Sequence, residues 1–560
     1  MKIPAAAKYS PLPKPDFSGR TWPNKTVSSA PIWCSVDLRD GNQALAQPMS
    51  VSEKLEYFEM LLAVGFKEIE VGFPAASQTD YDFCRLLIDE GRIPTDVSIQ
   101  VLCQCREDLI LRTLDAIAGA NNAIFHLYNS TSPKQREYVF GASREDVIRL
   151  AVTSVEFLKE KLSGGGHPGL RLEYSPESFN STELDFALEI SNAVVDSWGG
   201  AVILNLPATV EYSTPNVYAD QIEWMSTHLA NRDKITLSVH THNDRGTGVA
   251  ATELAMLAGA DRVEGTLFGI GERTGNLDIV TAALNLYTHG VAPGLDFGNL
   301  DTIRSVYERC TRMTVPARQP YVGELAFTAF SGSHQDAIKK SLAYQRDGRV
   351  WDTLYIPIDP SDIGRTYEKV VRINSQSGKG GVAYVLEKDF GFILPRFFQK
   401  EMGRVVNDLS DRDGGELSAS DVMLVLTDSF INLSAPLTLG GFKTIETLDG
   451  VLCSAEILRD NVQYQIKGEG KGPVAAFFNA LRGINLPAFN IANYAEHSLG
   501  SGAGMCAVGY IQIVDASGRS FFGVGQNYSI EMASILALLS TVNKKLKLDI
   551  QQHSHGDANS

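Results

Sequence analysis

The chain has 560 residues and a mass of 61.0 kDa, which at roughly 150 residues per domain predicts two to four domains with ample cores. A composition that is 44% hydrophobic and 21% charged, with a mean hydropathy of -0.07, excludes a disordered or fibrous chain. Lys plus Arg number 50 against 66 Asp plus Glu, and the net charge of -16 argues against nucleic acid or an anionic membrane as a partner.

In chain order, Pro11, Pro13, Pro15 and Pro23 stand among polar residues and predict an extended arm over residues 1–30. From Ile32 onward, short β-branched runs alternate with amphipathic helical stretches. The runs are Ile32–Val36, Glu68–Gly72, Ser98–Leu102, Asn122–His126, Leu170–Tyr174, Ala201–Asn205, Ile235–His240 and Arg262–Thr266. Helices are expected at Ser52–Leu62, Arg144–Leu162 and Glu183–Val195, the last opened by Ser181-Thr182 as a cap. Eight such units predict a (β/α)8 barrel over 31–320. A doubly wound sheet is the runner-up, but the segment Asp37-Leu38-Arg39-Asp40-Gly41-Asn42 after the first strand is not its Gly-rich phosphate turn.

Beyond 320 the alternation stops. A linker region is expected over 321–430, with a flexible Gly/Ser turn at 375–381 and a polar connector at 407–418. Strands at Val422–Thr427, Tyr464–Lys467 and Ala507–Val514, with helices at Val474–Leu481 and Glu531–Asn543, predict a separate α+β module over 431–549. A disordered polar tail is expected over 550–560. The fold class is thus α/β, a (β/α)8 TIM barrel with a small helical or mixed linker region and a C-terminal α+β domain. No apolar run of membrane-spanning length and no secretory leader is apparent. Seven cysteines scattered through apolar runs read as reduced thiols of a cytoplasmic protein. Cys103 and Cys105 read as alternate residues of one strand rather than as metal ligands.

Active sites of such barrels form at the C-terminal ends of the strands. There the sequence places Arg39 and Asp40 after the first strand, His126 on the fourth, Glu173 on the fifth and Thr209 after the sixth. His240-Thr241-His242 ends the seventh, and Gly269 to Asn276 follows the eighth. His240 and His242, two apart on a strand, face one side and can offer two imidazoles to one ion; two hydrogen-bonded histidines are the alternative. With Asp40 and Asn276 they would make a mixed N/O set that suits Mg2+, Mn2+, Zn2+ or Fe2+ without choosing among them. Arg39 reads either as an electrophile for a developing oxyanion or as a surface ion pair with Asp37 or Asp40. Glu173 reads as a proton acceptor or as an orienting residue. The three glycines of Gly269–Gly275 could let the backbone approach a ligand.

At these residues the chain resembles a known family. Asp37 to Gln43, His240 to Asp244 and Gly269 to Asn276 look like the acyltransferases that condense acetyl-CoA with 2-oxo acids. Phe327 to Asp336, Tyr355 to Pro360 and Asn374 to Val382 are similar to the longer, bacterial and fungal type of 2-isopropylmalate synthase. The resemblance implies condensation of acetyl-CoA with 3-methyl-2-oxobutanoate, the first committed step of leucine synthesis. It implies a divalent ion, Mg2+ foremost with Mn2+ or Zn2+ as alternatives, on Asp40, His240, His242 and Asn276, and activation by a monovalent cation. Catalytic roles would fall to Arg39, Glu173, His334 and Tyr355, and substrate contacts to Arg39, His126, Thr209 and Leu102. It implies a homodimer in which His334 and Tyr355 complete the partner's active site. Residues 431–549 would be a leucine-sensing domain using Asn479, Tyr494, Ala495, Gly502 and Gly504, with L-leucine as inhibitor; dimerisation alone is the plainer role. Citramalate synthase, homocitrate synthase and a barrel carbon-carbon lyase are the competing activities.

Overall fold

The computed structural model describes residues 15, 17–165, 167, 169–329, 331–345, 350–365, 379–413, 417–460, 462–500 and 505–556. It divides into two units, residues 1–326 with 360–365, and residues 327–359 with 366–560.

In the first unit eight parallel strands close into a barrel in sequence order. They are β1 (Ile32–Ser35), β2 (Glu68–Gly72), β3 (Ser98–Gln104), β4 (Ala123–Ser130), β5 (Arg171–Glu177), β6 (Val202–Ala208), β7 (Ile235–Thr241) and β8 (Arg262–Gly265). β1 closes the ring on β8, with Cys34 opposite Glu264. The outer helices are α1 (Val51–Val64), α2 (Gln78–Asp89), α3 (Glu107–Ala116), α4 (Arg144–Leu162), α5 (Leu184–Trp198), α6 (Pro215–His228), α7 (Gly248–Leu257) and α8 (Ile279–Thr288), with α9 (Leu300–Thr311) after them.

Local chemistry explains several boundaries. Reciprocal capping boxes, Ser50 with Glu53 and Ser143 with Asp146, start α1 and α4 by satisfying amides that lack a partner inside the helix. The cap expected at Ser181-Thr182 does not form. Thr182 Oγ1 is engaged instead with Thr131 Oγ1 at 2.8 Å and the Ser178 carbonyl at 3.0 Å, and α5 begins after Glu183 without a side-chain cap. The expected arm carries a short helical turn, Trp22–Asn24, and is strapped to α6. Arg20 grips Asp220 through two bonds of 2.9 and 2.7 Å, and the Thr21 amide donates to Glu223 at 2.8 Å.

The second unit holds α10 (Gly332–Tyr344), α11 (Lys379–Phe390), α12 (Arg396–Asp413) and α13 (Ala419–Phe430). They are followed by β9 (Leu437–Thr447), β10 (Gly450–Arg459), β11 (Val462–Gly470), α14 (Pro473–Leu481), β12 (Phe489–Leu499), β13 (Cys506–Asp515), β14 (Ser520–Asn527) and α15 (Ile530–Gly556). The run Val422–Thr427, expected as a strand, is the middle of α13. A capping box of Ser418 with Asp421 starts a helix there, and Val422, Val425 and Leu426 bury one helical face. Most of the expected connector at 407–418 is the end of α12, while 414–416 and most of the Gly/Ser turn at 375–381 lie outside the described residues. α15 is helical to Gly556, where a disordered tail was expected from 550.

The α+β module is built twice over. Each half is a three-stranded antiparallel sheet followed by a helix: β9–β11 with α14, and β12–β14 with α15. A Gly-x-Gly pair lets each helix sit tight on its sheet. A Cβ at Gly468 would come within 2.3 Å of Ala480 N, and one at Gly523 within 2.4 Å of Thr541 N. α11–α13 share a core with β13 and β14, where Phe398 meets Phe430 edge-on at 4.9 Å. The 430/431 boundary expected between linker and module therefore runs through one hydrophobic core.

Candidate active site

β1 passes directly into a single π-helical turn, Asp37–Gly41, whose amides at Arg39, Asp40 and Gly41 all donate to the Val36 carbonyl. Such turns concentrate at functional sites. Here the turn sets Arg39 and Asp40 in the wall of a cavity of about 430 Å³ that is also lined by Leu102, His126, Thr209, His240 and His242.

Asp40 Oδ2 lies 3.3 Å from His240 Nε2 and 3.7 Å from His242 Nε2. The two rings are 5.2 Å apart on the same side of β7. A backbone bridge pairs His242 with Asn276, whose Nδ2 donates to the Ile270 carbonyl at 3.0 Å. Asp40 Oδ2, His242 Nδ1 and Asn276 Oδ1 are buried and make no hydrogen bond among the described residues. Leaving such atoms uncompensated costs about 1–3 kcal/mol each. A divalent cation fits the buried donors of Asp40, His240 and His242, which lie within 4.8 Å of one another, with Asn276 beside them.

The charges in this cluster are strongly biased. Burial would raise the Asp40 carboxyl, but Arg39 and then His240 hold it well below the usual carboxylate range. Burial would lower His240, but the carboxylates on either side of it, Asp40 at 3.3 Å and Glu264 at 2.9 Å, outweigh that and bring it up to about 9. His242 is pushed down to about 4 by burial and by its neighbour His240.

Arg39 is no surface ion pair. Its side chain is only 12% exposed, its Nε donates to Glu70 Oε2 at 2.5 Å, and its Nη1 lies 3.3 Å from Asp40 Oδ1. Asp37 points elsewhere, accepting from Ser35 Oγ and Tyr57 OH, each at 2.8 Å, and from the Leu267 amide at 3.0 Å. Leu102, His126 and Thr209 all line the cavity. Thr209 Oγ1 accepts from the Ser178 amide at 2.9 Å, which fixes its rotamer. Glu173 lies beneath the cavity floor, fully buried, with Oε1 3.5 Å from His126 Nε2 and neither oxygen hydrogen-bonded. Burial drives its carboxyl well above the ordinary range and so favours the protonated form, even though the Arg262 cation pulls the other way.

The glycines after β8 serve the protein itself. A Cβ at Gly271 would strike Asn276 Nδ2 at 2.2 Å, so the loop wraps around Asn276 instead of offering its backbone to a ligand.

Sequence reasoning missed the polar network inside the barrel. Glu70 Oε1 bonds His126 Nδ1 at 2.9 Å, and Ser175 Oγ takes the other ring nitrogen at 2.7 Å. Glu264 Oε2 bonds His240 Nδ1 at 2.9 Å and Asn205 Nδ2 at 3.2 Å. Arg262, wholly buried, reaches Glu68, Ser238, Glu264 and Gln100. The signal was present as polar residues at every second position of otherwise apolar strands, in Glu68-Ile69-Glu70 and Arg262-Val263-Glu264.

His334 and Tyr355 belong to the second unit, where their rings stack at 4.1 Å and 20°. Tyr355 has φ of +63°, a conformation non-glycine residues hold only under constraint. In the α+β module, Asn479 donates to the Glu469 carbonyl at 2.8 Å, and Tyr494 OH bonds Ser534 Oγ at 2.7 Å, with Ala495 next to it on β12. Gly502 and Gly504 lie outside the described residues. Among the described residues, no helix is long and apolar enough to cross a membrane.

Known proteins share this organisation. Residues 30–306 match the HMGL-like family, 324–387 the "Alpha-isopropylmalate synthase, post-catalytic domain-like" family and 417–546 the "LeuA allosteric (dimerisation) domain". The chain is 50% identical over 545 residues to the 2-isopropylmalate synthase of Ralstonia nicotianae, covering 96% of this chain and 95% of that protein. It is 49% identical to the proteins of the same name from Pseudomonas savastanoi pv. phaseolicola, over 96% of this chain and 97% of that one, and Agrobacterium fabrum, over 97% and 99%.

Proposed function

The chain belongs to the 2-isopropylmalate synthase family, and from that premise we propose how its own residues carry out the reaction. The enzyme condenses the acetyl group of acetyl-CoA with 3-methyl-2-oxobutanoate and water to give (2S)-2-isopropylmalate and CoA, opening leucine biosynthesis under feedback by leucine.

Asp40, His240, His242 and Asn276 hold the divalent ion; the observation that carries this reading is the trio of unpartnered buried atoms on Asp40, His242 and Asn276. Bound there, the ion supplies Lewis-acid polarisation of the acceptor's keto oxygen and an anchor for its carboxylate. Mg2+ is the ion we assign, from the oxygen ligands of Asp40 and Asn276, with Mn2+ and Zn2+ as the competitors to test. Activation by a monovalent cation is tested in the same assay. Thr209 donates to the acceptor carboxylate, while Leu102 and His126 wall the space for its isopropyl group. Arg39, tethered through Nε to Glu70, keeps its Nη donors for the oxygen of the acetyl enolate and then the alkoxide. His334, held against Tyr355, removes the methyl proton, and both serve the active site of the partner subunit in a homodimer; their stacking and the constrained backbone at Tyr355 support a shared task. Glu173 stores a proton under the reacting centre. Residues 31–320 form the catalytic barrel, 321–430 the linker region and 431–549 the sensor, where Asn479, Tyr494 and Ala495 lie near the leucine site. The seven free thiols support a reducing, cytoplasmic setting.

Free-thiol release from acetyl-CoA tests the assignment. With Mg2+ present, 3-methyl-2-oxobutanoate is expected to exceed pyruvate and 2-oxoglutarate by roughly tenfold or more in kcat/KM, the worth of a filled apolar pocket. A preference for pyruvate would make the enzyme a citramalate synthase, and cleavage of an acyl-CoA without thiol release a lyase.

Ion binding is expected to release a proton. Without the ion, His240 keeps its proton up to about pH 9 and His242 loses its own at about 4, so near pH 7 binding must expel the one proton that His240 holds. Apparent affinity should therefore rise about tenfold per pH unit from 6 to 8 and level off above 9. Calorimetry in buffers of different ionisation enthalpy reads the proton count, and a count of zero would contradict this assignment of His240.

A further inference from the structure

Glu264 is placed where a ligand could be sought, since it clusters with His126 and Glu173, yet its lone pairs are already taken. Oε1 accepts from Arg262 Nη1 at 2.9 Å and Gln100 Nε2 at 3.0 Å, and Oε2 accepts from His240 Nδ1 and Asn205 Nδ2. A carboxylate with four donors has nothing left to offer a cation, but it can hold an imidazole. By accepting from Nδ1–H of His240 it holds the ring with Nε2 toward Asp40 Oδ2, the nitrogen an ion would take in place of its proton. Arg262 cannot drift, because its other donors are spent on Glu68 at 2.5 Å, Ser238 at 2.8 Å and Gln100 at 2.6 Å, all inside the barrel.

We propose that Glu264 is a positioning residue of the ion site and that Arg262 is the buried anchor that keeps it ionised and aimed, so that the barrel's charged interior determines the affinity of the site above it. This rests on the reading that Asp40, His240 and His242 hold the ion. Glu264 is not among the residues that line the cavity, and it reaches that wall through its bonds to His240 and Asn205, of which His240 is the ion's ligand in this reading.

The test is Mn2+ binding to the full-length protein, followed by electron paramagnetic resonance, with thermal melting alongside. Glu264→Gln leaves one oxygen for four donors and sets an NH2 against one pair of them, so either His240 with Asn205 or Arg262 with Gln100 loses its acceptor, and Mn2+ affinity is expected to fall tenfold to a hundredfold. Asp220→Asn, which weakens the strap between Arg20 and α6 and touches neither Arg262 nor Glu264, is the control for general damage, expected to lower the melting temperature while Mn2+ affinity stays within twofold. If Glu264→Gln does not fold, Glu264→Asp keeps the charge but draws the carboxylate back from His240, and about a tenfold loss is expected. Unchanged Mn2+ affinity in a folded Glu264 variant, or an equal loss in Asp220→Asn, overturns the proposal. Wild-type protein that binds no Mn2+ would instead remove the ion-site reading beneath it.

Discussion

Asp40→Ala is expected to abolish stoichiometric Mn2+ binding and to lower kcat/KM by about 10³-fold or more. Asp40 is the one formal negative charge among the four donors; without it two neutral imidazoles and an amide must hold a dication beside the Arg39 guanidinium. Bound metal contributes several kcal/mol of transition-state stabilisation, and each 1.4 kcal/mol is about tenfold in rate. The fold should survive, because Arg39 keeps its bond to Glu70 and His240 its bond to Glu264. Circular dichroism and melting check that survival, and a folded variant that still binds one Mn2+ per chain would sink the assignment of Asp40.

Arg39→Gln is expected to lower kcat by about 10²–10³-fold, the loss found when a donor to a developing oxyanion is removed. Its signature is the opposite of the first: Mn2+ affinity should hold or improve, because a cation 3.3 Å from Asp40 no longer competes with the ion. Glu70 would lose its charged partner in a fully buried place, and breaking such a pair costs about 3–5 kcal/mol. Arg39→Lys is the necessary companion. A single ammonium keeps the charge but cannot bond Glu70 and face the substrate at once, so stability should largely return while kcat stays low. A Lys variant within threefold of wild-type kcat would remove Arg39 from the oxyanion role.

The two residues were legible for different reasons. Asp40, His240 and His242 could be placed together because residues at strand ends follow two simple periods, the two-residue alternation of a strand and the strand-helix repeat of the barrel. Arg39 was legible only as a position. Whether it faced solvent or substrate depended on Glu70, 31 residues away, which fixes its Nε. Glu173 was expected in the middle of the site and lies under it instead, since its strand position faces inward one layer below Ser175, which lines the cavity.

Other misreadings share a cause. Val422–Thr427 is six residues of strand-forming composition, and only the capping box at Ser418 and the apolar face toward Phe398 and Tyr510 make it helix. The doubled sheet-and-helix pattern of the C-terminal module also escaped the sequence, because its two halves share little beyond a Gly-x-Gly pair.

By itself, then, the amino-acid sequence determined the eightfold alternation, the placing of Asp40, His240 and His242 at strand ends and the family resemblance, all of which are local patterns of residue type and spacing. Only the tertiary structure decided which buried charges pair: that Arg39 answers Glu70, that Arg262 joins four strands through Glu68, Gln100, Ser238 and Glu264, and that Glu264 bonds His240. The physical reason is distance. A charge is stable inside a barrel only when partners from other strands converge on it within about 3 Å, and that convergence is created by closing the ring, which brings β8 back against β1.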